Sequence, residues 1–148
     1  MILFVLALAL TPIAESQLVT EENGREVFPV AFRGTWASSL AECSKNYSSD
    51  RVYITENRIY GYESESVLVK AGRVYSQSNP HRFPSNGVYP HSMQALVAGS
   101  FETNVAMRKL RISRLEEHLY LSDAEEVSAE DHFKSDYRNV RCPEKAVR

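Results

Sequence analysis

Among 148 residues there are only two cysteines, one tryptophan and six glycines, and each scarcity excludes a class of chemistry. The cysteines, Cys43 and Cys142, form no C-x-x-C, so a zinc ribbon or a thioredoxin-like redox pair has no support. The glycines nowhere gather into a phosphate-cradling loop, and no G-x-S-x-G or comparable setting presents a nucleophilic serine. Four histidines, His81, His91, His118 and His132, show no H-x-x-x-H or similar spacing, so neither a metal nor a cofactor is expected. The formal net charge of −2 gives no footprint for nucleic acid or for an anionic membrane surface. No stretch of about twelve residues places apolar side chains cleanly at i, i+3, i+4 and i+7, which excludes an amphipathic helix of ordinary length.

Long apolar runs are also missing, except at the start. Residues 2–10 are uninterruptedly apolar but too few to cross a bilayer as a helix. Thr11 and Pro12 end the run, and Ala14-Glu15-Ser16 sets small residues where a signal peptidase reads. Residues 1–16 are therefore expected to be a secretory signal peptide cut after Ser16, although no Lys or Arg precedes the run. A buried first strand or helix is the competing account. No cysteine follows the run, so no lipoprotein anchor is expected, and the mature protein should be exported, periplasmic or secreted. In an oxidising compartment two cysteines have one available partner each, which predicts a Cys43–Cys142 disulfide over two buried thiols. Closing a loop of about 100 residues contributes roughly 4–5 kcal/mol on the chain-entropy argument.

The length suits one domain, and eight tyrosines with six phenylalanines favour half-buried pleated surfaces. Residues 17–27 are polar and read as a flexible N-terminal arm, 28–143 as the domain and 144–148 as a tail. From Phe28 onward the pattern has period two. Residues 31–36 are the first strand candidate, 51–55 and 58–63 a hairpin across Glu56-Asn57, and 66–76 a strand bent or bulged at Gly72. Residues 76–94 contain Pro80, Pro84, Gly87 and Pro90, and read as a long irregular loop. Residues 95–103 and 107–113 suggest a second hairpin about Asn104, 117–121 a further strand, 124–133 one or two helical turns, and 137–142 the closing strand. About eight short antiparallel strands without a long helix predict an all-β fold, a single small up-and-down β-barrel.

Gly34-Thr35-Trp36 on the first strand resembles the Gly-x-Trp signature of the calycin group, the lipocalins, avidins and fatty-acid-binding proteins. The resemblance implies a calycin-like barrel whose tryptophan closes the base and packs against a basic side chain of the last strand, here Arg138 or Arg141. The cysteine pair would then fasten the same end. The second and third lipocalin motifs and the avidin set of biotin contacts are not visible. The chain is also similar to small exported proteobacterial β-barrel proteins of unassigned activity, through Gly34-Thr35-Trp36 with Cys43, through Ile59-Tyr60-Gly61-Tyr62-Glu63-Ser64, and through Arg141-Cys142.

Candidate chemistry is sparse. Glu63 and Glu65 are expected on one strand face, where paired carboxylates do acid–base work if one is buried. A solvated face is the plainer account, and an inward Glu63 paired with an arginine a third. Tyr60 and Tyr62 fall on the opposite face, as core or as ligand contacts. Arg108, Lys109, Arg111 and Arg114 form the one basic cluster, with Arg108 and Arg114 on a common face. Rigid barrels present binding residues on loops, so the 76–94 loop, with Phe83, Val88, Tyr89 and Met93, is the leading candidate surface. The expected function is a non-catalytic, monomeric binding protein. It would hold a small amphiphile in the barrel, through Tyr60, Tyr62, Glu63, Phe83 and Tyr89, or a protein partner through that loop. The alternatives are a hydrolase using Glu63 or a loop histidine, and an envelope structural protein or inhibitor without a pocket.

Overall fold

The computed structural model describes residues 15–76, 90–101 and 104–144. A turn of 3-10 helix, Glu15–Leu18, leads into the first hairpin. Asn23 and Gly24 take φ of 52° and 73°, the paired left-handed conformation that a two-residue hairpin turn needs. They join β1 (Glu21–Glu22) to β2 (Arg25–Glu26). Residues 21–26 thus form a hairpin within the 17–27 segment expected to be a flexible arm, and Val27 and Phe28 behind it are fully buried. Pro29 opens a second 3-10 turn, Val30–Phe32, in place of the start of a strand.

The remaining elements are β3 (Gly34–Ala37), α1 (Leu40–Cys43), β4 (Arg51–Ile54), β5 (Arg58–Gly61), β6 (Ser64–Ala71), β7 (Tyr75–Ser76), β8 (His91–Phe101), β9 (Asn104–Leu115), β10 (His118–Asp123) and β11 (Arg138–Arg141). Neighbours pair antiparallel in chain order, β6 passes to β8, and β11 returns to β3. The result is the expected closed, eight-stranded antiparallel up-and-down barrel, with β7 continuing the line of β6 along β8. The ladder slips between Leu68 and Lys70, two residues before the bend expected at Gly72. Gly72 instead marks a close approach: a Cβ there would lie 2.4 Å from the Gln94 carbonyl oxygen, which accepts the Gly72 N–H at 2.7 Å.

Two expected boundaries move. Residues 91–94 belong to β8 and not to the proline-rich loop, with Met93 and Ala95 facing the core. Asn104, expected at the centre of the hairpin turn, lies in β9 and pairs with Phe101. Between β10 and β11, two 3-10 turns, Asp131–Phe133 and Ser135–Tyr137, form a strap that runs back over the outer wall.

Inward positions on alternate residues build the core. Trp36, Ile54, Ile59, Leu68, Met93, Val97, Ile112 and Leu119 all point inside and are buried, and Phe28, with Ala31 and Phe32 of the 3-10 turn that follows it, packs into the same core. Each large apolar side chain so buried contributes about 1.5–3 kcal/mol before entropy is counted. The seam where the ring closes is short, only Ala37↔Val140 and Trp36↔Arg141. Outside it, α1 folds over Ala37 and Val140, its first turn capped by Ser39 Oγ accepting the Glu42 N–H at 3.3 Å. The Cys43–Cys142 disulfide, with Cα atoms 5.4 Å apart, locks α1 to the residue after β11.

Candidate functional site

The barrel's two ends differ. At the base, Trp36 is fully buried and donates its indole N–H to the Phe32 carbonyl at 2.9 Å. The Arg141 guanidinium carbon lies 4.6 Å from the indole centroid and that of Arg114 at 5.6 Å, so two cations lie within cation–π range of the ring. Both are also tied to backbone: Arg114 donates to the Ala31 carbonyl at 2.7 Å and Arg141 to that of Arg33 at 2.9 Å. Burial lowers the pKa of each, and in Arg114 the neighbouring Arg141 charge adds to the effect. Gly34, at φ 119°, leaves the space that the Arg141 guanidinium fills. Of the two arginines expected at the tryptophan, Arg141 is there. Arg138 is not; it is exposed and pairs with Tyr120 in the β10–β11 ladder. Arg114 was not expected in that role, although its alternation with Ile112 on β9 points it inward.

Toward the other end the inward positions become small and polar. Gly61, Ser64, Ser66 and Gly99 face the interior, as their pairing with one another and with Ile59 requires. Ala106 faces it opposite Gly99 and Arg108 opposite Val97. Gly61, Ser64, Ser66 and Gly99 are only half-buried despite pointing inward, so solvent enters the ring here. Below them lie Ile59, Leu68 and Val97 of the core, with Val52 half-buried against it. At the rim, Arg108 Nε is 3.3 Å from Asp123 Oδ2. Asp123 Oδ1 accepts the N–H of Glu125 at 2.9 Å and of Glu126 at 3.3 Å, and the Glu125 bond is the main cause holding its carboxyl below the usual range. Ser38 Oγ donates to Asp50 Oδ2 at 3.1 Å just beyond the ends of β3 and β4.

The residues singled out from the sequence scatter about this mouth. Tyr62 and Glu63 form the two-residue turn between Gly61 and Ser64 at the rim. Tyr60 stands on the outer wall, its ring stacked on that of Tyr53 with centroids 6.2 Å apart. Glu65 also faces outward and pairs with Arg58. Glu63 and Glu65 therefore do not share a strand face, because Glu63 lies in the turn and only Glu65 lies in β6. Phe83, Tyr89 and Val88 lie outside the described residues, as do positions 77–89 in general. The ends of that segment, Ser76 and His91, pair near the base, opposite the mouth. Among the described residues no group of three or more His, Cys, Asp or Glu is placed to hold a metal ion.

One polar chain was invisible from spacing alone. His132, fully buried under the strap, has Nδ1 2.6 Å from Ser122 Oγ and Nε2 2.9 Å from Ser113 Oγ, which in turn lies 2.6 Å from Ser92 Oγ. The imidazole packs edge-on against Phe133, centroids 4.8 Å apart. A serine–imidazole contact suggests acyl-transfer chemistry, but Ser92, Ser113 and His132 are all at 0% exposure, beyond the reach of a substrate. The chain pins the strap to β8, β9 and β10. His91 at the base lies 3.3 Å from Ser76 Oγ, and burial pushes its pKa down.

These features define a class: a small disulfide-closed antiparallel barrel with a buried tryptophan beside two arginines at one end and small, half-buried inward residues toward the other. No described helix is long and apolar enough to cross a membrane. Compared with protein-family models, curated proteins and solved structures, the chain matches none.

Proposed function

We propose that this is an exported, non-catalytic binding protein that takes a small amphiphile into the open mouth of a calycin-like barrel. The observation that carries the reading is the change of character along the inward face. Half-buried Gly61, Ser64, Ser66 and Gly99 stand above a floor of Ile59, Leu68 and Val97, with Arg108 and Asp123 at the rim. An apolar floor under a few placed polar groups is the usual composition of a small-molecule site. The tail of an amphiphile would desolvate the floor while its polar end stayed among Ser64, Ser66 and the rim charges. The disulfide supports an oxidising compartment, and the Gly34, Trp36 and Arg141 arrangement supports the calycin-like comparison.

Native mass spectrometry of protein isolated from an exported fraction, before and after organic extraction, tests the reading. A co-purifying small molecule removed by extraction is expected. Ser66→Phe, which fills the mouth from β6, should abolish rebinding while leaving the melting temperature within a few degrees. Protein that carries nothing before extraction and binds no amphiphilic dye afterwards would defeat the proposal.

A further inference from the structure

Strand β9 outruns its neighbour on one side. β8 pairs with it along eleven positions, from Arg114 to Asn104, whereas β10 ends against it at Asp123↔Leu110. The last bond on that side runs from the Ala124 N–H to the Lys109 carbonyl, 2.7 Å. Antiparallel ladders turn alternate residues to opposite sides, so Lys109, Met107 and Val105 all direct their N–H and C=O away from β8. Among the described residues no strand faces Met107 or Val105. Their side chains lie on the outer face and are exposed, at 55% and 77%. The apolar row continues across the sheet through Ala98 to Val67. Folded proteins ordinarily avoid an open edge that carries large exposed apolar side chains.

We propose that residues 104–108 pair antiparallel with the same residues of a second copy, about a two-fold axis at Ala106. The segment is self-complementary in one register. With Val105 opposite the second copy's Met107, the free N–H and C=O groups of these two residues satisfy one another across the axis. Val105 and Met107 then meet twice on the outer face, apolar against apolar. Arg108 falls opposite Asn104 and not its own symmetry mate, so like charges are not opposed, and Asp123 already pairs with Arg108 at 3.3 Å. An axis at Met107 would instead need the Lys109 carbonyl, which Ala124 already occupies, and would set Lys109 against Val105. Such a contact is isologous, so it uses both edges and stops at two copies.

Sedimentation velocity on the oxidised full chain, from micromolar to millimolar concentration, is the test. A monomer–dimer equilibrium is expected, with amide exchange at Val105 and Met107 slowing as concentration rises. Met107→Pro removes an N–H that β8 does not use, and should give a monomer with unaltered circular dichroism and melting temperature. Ala106→Cys sits on the axis in a non-hydrogen-bonded pair, with Cα atoms about 4.5 Å apart, within disulfide reach. It should cross-link to itself on mild oxidation, mapped by mass spectrometry, whereas Val105→Cys should not. The proposal is overturned by a monomer at every concentration, by a dimer that survives Met107→Pro, or by cross-linking through Val105→Cys and not Ala106→Cys. Ala106→Cys decides the question even if the proline variant fails to fold.

Discussion

Glu63 holds a left-handed backbone at φ 51°, a conformation that disfavours a residue with a Cβ by about 1–2 kcal/mol. Glycine relieves that strain but loses roughly 0.5–1 kcal/mol of chain freedom on folding. Glu63→Gly should therefore raise stability by up to about 1 kcal/mol, read as a higher urea midpoint at unchanged slope; a lower midpoint would mean that the carboxylate stabilises the rim. Gly34 is the opposite case. Its φ is 119°, and a Cβ there would lie 3.0 Å from Arg141 Nη1. Gly34→Ala therefore strains the backbone and pushes the guanidinium off Trp36, at a cost of about 2–3 kcal/mol. Its tryptophan emission should shift to the red. For His91, burial lowers the folded pKa, so the unfolded chain takes up the proton first as pH falls below about 6.5. Stability is then lost from about pH 6.5 downward through the folded pKa, and His91→Gln should flatten that part of a melting-temperature profile. Trp36 and Arg141 are legible in the sequence because strand alternation turns both to one side of the first and last strands of the ring, which pair there. Glu63 reads as part of a strand, because neither of its turn's central residues, Tyr62 and Glu63, is a turn former.

The strap between β10 and β11 depends on His132 more than on any apolar contact of its own. Removing the imidazole takes from Ser122 the partner it meets at 2.6 Å and from Ser113 the one it meets at 2.9 Å, although Ser113 keeps Ser92; a buried polar group left unpaired costs about 1–3 kcal/mol, and the vacated imidazole volume adds to that. His132→Ala should destabilise by about 3–4 kcal/mol, against roughly 1 kcal/mol for Ser122→Ala. Hydrogen exchange is the discriminating measurement: residues 124–137 should lose protection while β8 and β9 keep theirs. Loss spread evenly over the molecule would show that the strap is not a separate unit. None of this element is readable from sequence beyond a turn or two of helix. Its residues are acidic and aperiodic, and His132 acquires its serines only when β9 and β10 fall into register, with Ser113 and Ser122 on the same outer face. β8 looks shorter in the sequence than it is for a related reason, since Pro90 hides the alternation of Ser92, Met93, Gln94 and Ala95. The Asn23-Gly24 turn is readable, but the charged residues around it suggest a loose arm.

At the scale of the whole molecule, period-two alternation and one pair of cysteines carry most of the fold, because a sheet with one apolar face must close or leave edges. The barrel's contents are less legible: which inward positions stay wet depends on where Gly61, Ser66 and Gly99 fall in the register, not on any one motif. Closure itself rests on an uneven ring. The β8–β9 hairpin has eleven paired positions, while the β3–β11 seam has two. The disulfide lies over the weaker place and spans a sequence separation of 99, so it limits the unfolded chain and holds the seam together. The double variant Cys43→Ala, Cys142→Ala should lose about 3–5 kcal/mol. If the sulfurs act locally as well as through chain entropy, native-state exchange in that variant should rise first in β3, α1 and β11, with β8 and β9 opening only in global unfolding. A uniform rise in all strands would mean that the bond acts on the unfolded ensemble alone and that the two-pair seam holds by Trp36 and its two arginines.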